Sequence, residues 1–366
     1  MKYKQPLKRI LAQRREQWDR PETRAAVREN FEKVTLCRTM ALGAEVYASE
    51  TEEKVFPHTC KSRACPSCGH RATILWQRER WAALPDVRYA GINFTMPDVL
   101  WPIFRSNRHL LHDLPALAAS VLQQYLKLKH GVRGLVMVVP HTFGRKLNFH
   151  PHLHTLISAA GLREADNCWV NVDEFDKKSL MHMWKFAVTN YLREALSAHV
   201  LQSELNEWRL REILTQQYER WWNIHIARFA SKDQFIRYAG RYIRRPPIAQ
   251  HRFTNIEDGE VHFMRQDLKL KKWVETPYSM EDFISTLADH IPDRYRHAIR
   301  YFGLLAPGAK GRTDLGLFAV LGQPKRPRPV RLGWAASLKK DFKRDPLVDS
   351  SGQRMRWVRR AVTQTA

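Results

Sequence analysis

Alternation of polar and apolar positions is clearest at 149–158, FHPHLHTLIS. There histidines interleave with Pro151 and Leu153 before the apolar pair Leu156 and Ile157. A period of two predicts a half-buried strand with His150, His152 and His154 on one face. Further strands are expected at 89–96, stopped by Pro97-Asp98, and at 135–139. The turn HTFGRK at 141–146 would join the latter to the histidine strand as a hairpin. Helical spacing predicts helices over 71–81, most of 99–130, 178–200 and 203–230, then one within SKDQFIRYAGRYIRRPP at 231–247. Residues 6–32 read as a basic, helix-prone arm with Ile10, Leu11, Trp18, Val27 and Phe31 available for an apolar stripe. A second hairpin is expected at 251–256 and 260–265, around Glu257-Asp258-Gly259. Strands and helices do not alternate in a βαβ rhythm. The expected fold class is therefore α+β, an antiparallel sheet with helices packed on one face.

The histidine strand carries candidate chemistry. Residues two apart on a strand lie roughly 6–7 Å apart at Cα, close enough for two imidazoles to share one ion. His150 and His154 are about twice as far apart. His152 and His154 are therefore the expected metal pair, and a third ligand must come from elsewhere. His141, His150 and a carboxylate or amide on a neighbouring strand all remain open. Further along, Tyr238 and Tyr242 stand four apart, which places both phenols on one helix face. Arg237, Arg241, Arg244 and Arg245 surround them and suit a phosphate-bearing strand. A tyrosine hydroxyl is a weak nucleophile at its ordinary pKa, so it needs a cation or a metal-activated phosphate nearby.

Five cysteines are present: Cys37, Cys60, Cys65, Cys68 and Cys168. Four crowd into the first 68 residues, and the first residues lack the apolar core of a signal peptide. Those four read as thiolates for a structural Zn²⁺ rather than as disulfides. Cys65-Pro66-Ser67-Cys68 is the tight pair and Cys60 lies just before it. Cys37 is the first choice to close the tetrahedron, with His58 or His70 behind it. Cys168 stands alone and is assigned nothing.

Charge narrows the partner. Lys and Arg number 61 against 37 Asp and Glu, a net +24. Such a surplus favours a polyanion, either nucleic acid or an anionic membrane surface. No run of 18 apolar residues exists to span a bilayer. A cytoplasmic DNA-binding protein fits best. Lys127, Lys129, Trp221 and Trp222 are considered as strand contacts, although a solvated helix face for the lysines and a core role for the tryptophans are the plainer readings. Residues 323–344 are basic and proline-rich, and are read as a partly disordered tail ending in a short helix.

Several stretches together resemble one family. They are TCKSRACPSCG at 59–69, NFTMPD at 93–98, NFHPHLHTLIS at 148–158, RRPPIA at 244–249 and HIPDRYRHAIRYFGLLAP at 290–307. In that order they resemble the two-tyrosine HUH class of bacterial rolling-circle transposases, the insertion sequence 91 family. The resemblance implies cleavage of single-stranded DNA through a 5′-phosphotyrosine on Tyr238 or Tyr242, with a divalent ion on the histidine pair. Because that ion must accept substrate oxygens, Mg²⁺ or Mn²⁺ is expected. Tyr238 is placed slightly ahead of Tyr242 on order along the helix alone, and Asn93 receives no role. The resemblance also implies an HUH-type antiparallel sheet behind a small zinc-binding domain, in a bacterial nucleoid-associated protein, and leaves room for a homodimer. The expected division is 1–75 arm and zinc-binding domain, 76–265 nuclease domain, 266–322 its C-terminal part, and 323–366 basic tail. Two departures stand out: Ser49 and Glu52, and Val348 to Ser351, occupy places where relatives carry cysteine pairs. A replication initiator or relaxase with the same chemistry, a non-catalytic DNA-binding remnant, and a membrane-surface protein remain as alternatives.

Overall fold

A computed structural model of the chain describes residues 5–267, 270–309 and 316–362. The chain divides into two compact units, each assembled from separated segments. One comprises Thr73–Arg244 and Pro292–Pro327, and the other Met1–Ala72, Arg245–Ile291 and Arg328–Ala366. This division is not the linear one read from the sequence, because strands distant in the chain pair with each other.

The unit built on Thr73–Arg244 is organised by a five-stranded antiparallel sheet. Its strand order is Arg300–Gly303, Leu135–Phe143, Phe149–Ser158, Tyr89–Phe94 and Ile224–Phe229. The pleat gives the sheet two different faces. On one, Ala90, Ile92, Phe94, Val136, Val138, Leu153 and Ile157 pack against the long helices Leu114–His130 and Lys177–Ser197. Trp184 is fully buried there, with its indole N–H donating to Thr95 O at 2.8 Å and its ring 4.9 Å from Phe94. On the other face, Tyr89, Leu135, Met137, Val139 and Leu156 meet Phe235, Ile236, Tyr238, Ala239 and Ile243 of the helix Lys232–Ile243. Helices therefore cover both faces, not one as expected. The tyrosine helix has an apolar flank that needs burial, and the histidine face still offers apolar residues to receive it.

A second correction concerns 203–230, expected as one helix. The helix is only Glu207–Gln216, capped by the Asn206 side chain accepting from Arg209 N. Ile224–Phe229 instead forms the edge strand against Tyr89–Phe94. Its IHIARF pattern has a period of two, which long-range pairing realises over helical propensity.

In the other unit, Ala44–Ala48 pairs antiparallel with Glu53–Pro57 on one side and Arg356–Ala361 on the other. The 323–366 segment is thus not simply a tail: it holds the helix Trp334–Phe342 and then a strand completing this sheet. A second sheet is formed by Phe253–Glu257, Glu260–Asp267 and Lys272–Ser279, the last strand unanticipated. The turn containing Ser49 and Glu52 is tied to the turn containing Asp349. The Asp349 carboxylate accepts from Ser49 Oγ at 2.5 Å, Thr51 Oγ1 at 3.0 Å and Gln353 N at 2.8 Å. Glu52 accepts in return from Ser350 N at 2.9 Å. Among the described residues no helix is long and apolar enough to cross a membrane.

Trp184→Ala is expected to destabilise the unit holding the five-stranded sheet by about 3–5 kcal/mol, read as an earlier urea transition. Asp349 generates a pH prediction for the other unit. Its hydrogen bonds, led by that from Ser49, hold its carboxyl well below the usual carboxylate range. The stabilisation is therefore complete above the unfolded-state value of about 3.9 and is lost as pH falls further. Asp349→Asn should lower that unit's thermal transition at pH 7 and leave a smaller drop between pH 5 and 3, in scans followed by circular dichroism.

Candidate active site

The histidine face of the sheet meets the tyrosine helix around three imidazoles. Cross-strand register sets Val139 and Asn93 beside His154, and His141 beside His152. One ring nitrogen from each of His141, His152 and His154 lies within 4.8 Å of the others. One nitrogen of each ring is paired with an oxygen that can only accept. His154 Nδ1 donates to Asn93 Oδ1, His152 Nδ1 to His150 O and His141 Nε2 to the Tyr242 carbonyl, all at 2.8 Å. An oxygen partner on one ring nitrogen is the arrangement that metal-ligating histidines adopt. His150 lies outside this group: its ring sits between Trp101 at 4.7 Å and His152 at 4.9 Å, and burial lowers its pKa.

The tyrosine helix starts where Ser231 caps it, accepting from Gln234 N, and ends before Pro246-Pro247. Its approach depends on two glycines. A Cβ on Gly91 would stand 2.9 Å from Tyr238 Cε1, and one on Gly240 would stand 2.2 Å from the Gln77 amide. The two phenols then occupy different settings. Tyr242 is partly exposed and stacks on His154, with ring centroids 3.7 Å apart and planes at 22°. Tyr238 is only 8% exposed, lying 5.0 Å from the Tyr242 ring and 4.7 Å from Phe229. Burial pushes Tyr238 up to about 12, Tyr242 adds to the rise, and Asn93 and Arg241 pull it back.

Of the four arginines, Arg241 alone lies over both phenols, 4.7 Å from the Tyr238 centroid and 5.9 Å from that of Tyr242. Arg237 is paired with Asp233 at 2.6 Å, an exposed i, i+4 pair on the solvent side. Arg244 is the helix C-cap and half-buried, and Arg245 follows it exposed. Trp222 is a core residue, 1% exposed, whereas Trp221 is 59% exposed. Trp221 and Arg220 line a cavity of about 250 Å³ with Thr95, Pro97 and Asn223, just past the end of the Asn93 strand. Lys127 and Lys129 lie exposed on a helix packed against the opposite face of the sheet. Sequence reasoning gave Asn93 no role.

In the other unit, Cys37, Cys60, Cys65 and Cys68 form a cage with all four sulfurs within 4.8 Å of one another. Cys68 Sγ is 3.6 Å from both Cys37 and Cys60, and Cys65 Sγ is 3.9 Å from Cys37. A tetrahedron with Zn–S bonds of about 2.3 Å has edges of about 3.8 Å, so the cage fits zinc. Hydrogen bonds from the neighbouring thiols, that of Cys60 first, hold Cys37 down to about 7. Cys68 is pushed lower still by the same kind of bond, while the donors Cys60 and Cys65 are pushed up. His58 lies elsewhere, bonded to Leu42 O and Glu45 Oε1, and His70 packs against Phe342. Ser49 and Glu52 have their partners at Asp349 and Ser350, in the stapled turns. Cys168 is an exposed free thiol.

Comparison with known proteins bears on both sites. A family model described as "Putative transposase" matches residues 134–313, and one described as "Transposase zinc-binding domain" matches residues 8–96. The chain is 35% identical over 293 residues to the transposase for insertion sequence element IS801 of Pseudomonas savastanoi pv. phaseolicola. That match covers 76% of this chain and 70% of the relative. It is 28% identical over 298 residues to the "Putative transposase y4qJ" of Sinorhizobium fredii, covering 76% and 74%. No solved structure matches the chain.

Cys37→Ser is expected to lower the zinc bound per purified chain from about one ion to well below it, with a chelator doing the same to the unmutated protein. Atomic emission on dialysed samples reads the result, and binding should release protons, because Cys60 and Cys65 must ionise.

Proposed function

The chain belongs to the insertion sequence 91 family of transposases, and from that premise we propose that it cleaves and rejoins single-stranded DNA through a 5′-phosphotyrosine. The observation that carries this reading is the stacking of Tyr242 on His154 beside three clustered imidazole nitrogens. His141, His152 and His154 would hold a divalent ion, Mg²⁺ or more readily Mn²⁺ given three imidazoles, which would supply charge neutralisation at the scissile phosphate. His141 is thus the third ligand, delivered by the strand beside the histidine strand.

Tyr242 is the first nucleophile in this proposal, since it is partly exposed and nearest the histidines, whereas Tyr238 is buried. Its phenol oxygen bonds to phosphorus as the bond from phosphorus to the 3′ oxygen breaks. The products are a 5′-phosphotyrosine and a 3′ hydroxyl, to which the phenol proton is transferred in net terms. Arg241, above both rings, faces the incoming phosphate and supports the developing phenolate. Tyr238 serves a second cleavage before the first linkage is resolved, which suits an element that must cut two strands. Trp221, exposed at the rim of the cavity past the Asn93 strand, offers a face on which a base of the strand can stack. The cysteine cage holds a structural zinc and gives the other unit a rigid centre.

A covalent-adduct assay tests this. Purified protein is mixed with labelled single-stranded DNA carrying an element end plus Mn²⁺, then run on a denaturing gel. A protein-linked band should weaken most in Tyr242→Phe, less in Tyr238→Phe, and vanish in the double variant. His141→Ala and His152→Ala should each abolish it. Tight DNA binding with no adduct on several ends would reduce the chain to a non-catalytic DNA binder.

A further inference from the structure

The Asn93 side chain touches both halves of the site. An amide offers an acceptor oxygen and a donor nitrogen on one rigid plane. Asn93 Oδ1 accepts from His154 Nδ1 at 2.8 Å, which leaves Nδ2 as the donor. The reverse orientation would require His154 Nδ1 to accept, placing the proton on Nε2 and closing that nitrogen to a cation. The same side chain pulls the Tyr238 hydroxyl back from the rise that burial gives it. Backbone geometry agrees. Gly91, two residues earlier on the same face, lies directly beneath the Tyr238 ring, its Cβ position 2.9 Å from Cε1 and 3.3 Å from Cζ. The hydroxyl-bearing carbon is thus held over the strand next to Asn93.

We propose that Asn93 is a positioning residue with two assignments, one from each end of its amide. Oδ1 fixes the His154 tautomer, with the Nε2 lone pair available to the divalent ion, and Nδ2 donates to the Tyr238 hydroxyl oxygen, aligning the second nucleophile. This rests on the strand-cleavage reading above and extends it, because the bridge ties the metal ligand to the tyrosine that does not stack on it. Only an amide of this length satisfies both contacts. Aspartate keeps the acceptor for His154 but has no donor for the phenol, and alanine has neither.

The test uses the full chain with Asn93→Ala and Asn93→Asp, each also combined with Tyr242→Phe, which leaves Tyr238 as sole nucleophile, and with Tyr238→Phe. Mn²⁺ affinity is read by calorimetry without DNA, and adduct formation at saturating Mn²⁺. Asn93→Ala should weaken Mn²⁺ binding by roughly 10–100-fold. Asn93→Asp should restore Mn²⁺ binding and the Tyr242 adduct, while the Tyr238 adduct stays down by roughly tenfold or more. Unchanged Mn²⁺ affinity in Asn93→Ala would overturn the first assignment. A Tyr238 adduct at the unmutated level in Asn93→Asp would overturn the second. An unmutated protein that binds Mn²⁺ but forms no adduct would sink the strand-cleavage reading, and the Tyr238 assignment with it, while the His154 assignment is still decided by calorimetry. Asn93→Asp keeps the test alive if the alanine variant does not fold.

Discussion

The register between Tyr89–Phe94, Phe149–Ser158 and Leu135–Phe143 is the constraint on which the site depends. It sets Asn93 beside His154 and His141 beside His152 on one face, while Ile92, Leu153 and Val138 fall on the other. A one-residue slip would exchange the faces and put imidazoles into the core. The apolar face resists that slip, because Trp184 and the two long helices bury it completely. The energy that defines the polar site is therefore spent on the opposite side of the sheet.

What could be read in the chain follows from how local each signal is. The histidine strand and the tyrosine helix declare themselves by period and by neighbouring turn residues, so their placement on one sheet and one helix was legible. His141 could be offered only as one of several ligands, because its choice depends on cross-strand register and on the Tyr242 carbonyl 101 residues away. Asn93 was not legible as a functional residue, since an isolated asparagine in a strand has no spacing to mark it. Ile224–Phe229 was absorbed into a helix because its pairing partner lies more than a hundred residues upstream. The cysteines were legible as a group, and the left-handed turn at Lys61 that lets Cys60 face the others was not.

The two turns where the resemblance implies cysteine pairs are bonded to each other. Ser49, Thr51 and Glu52 on one turn and Asp349 and Ser350 on the other form reciprocal hydrogen bonds between the two turns. Asp349 is buried and its carboxylate accepts from several donors at once, which offsets the cost of burial. Such a staple needs no metal, whereas the four-sulfur cage nearer the N-terminus keeps the geometry of a zinc site.

Pairing of Arg356–Ala361 with Ala44–Ala48 also sets an order of events during synthesis. The later strand leaves the ribosome more than 300 residues after the earlier one. At about 5–20 residues per second, Ala44–Ala48 waits on the order of 15–60 s with one edge unpaired. Every strand of the five-stranded sheet is by then already made. A nascent chain can thus hold its histidines and tyrosines in place while the three-stranded sheet beside the cysteine cage is still open, and the last edge to close is set by translation.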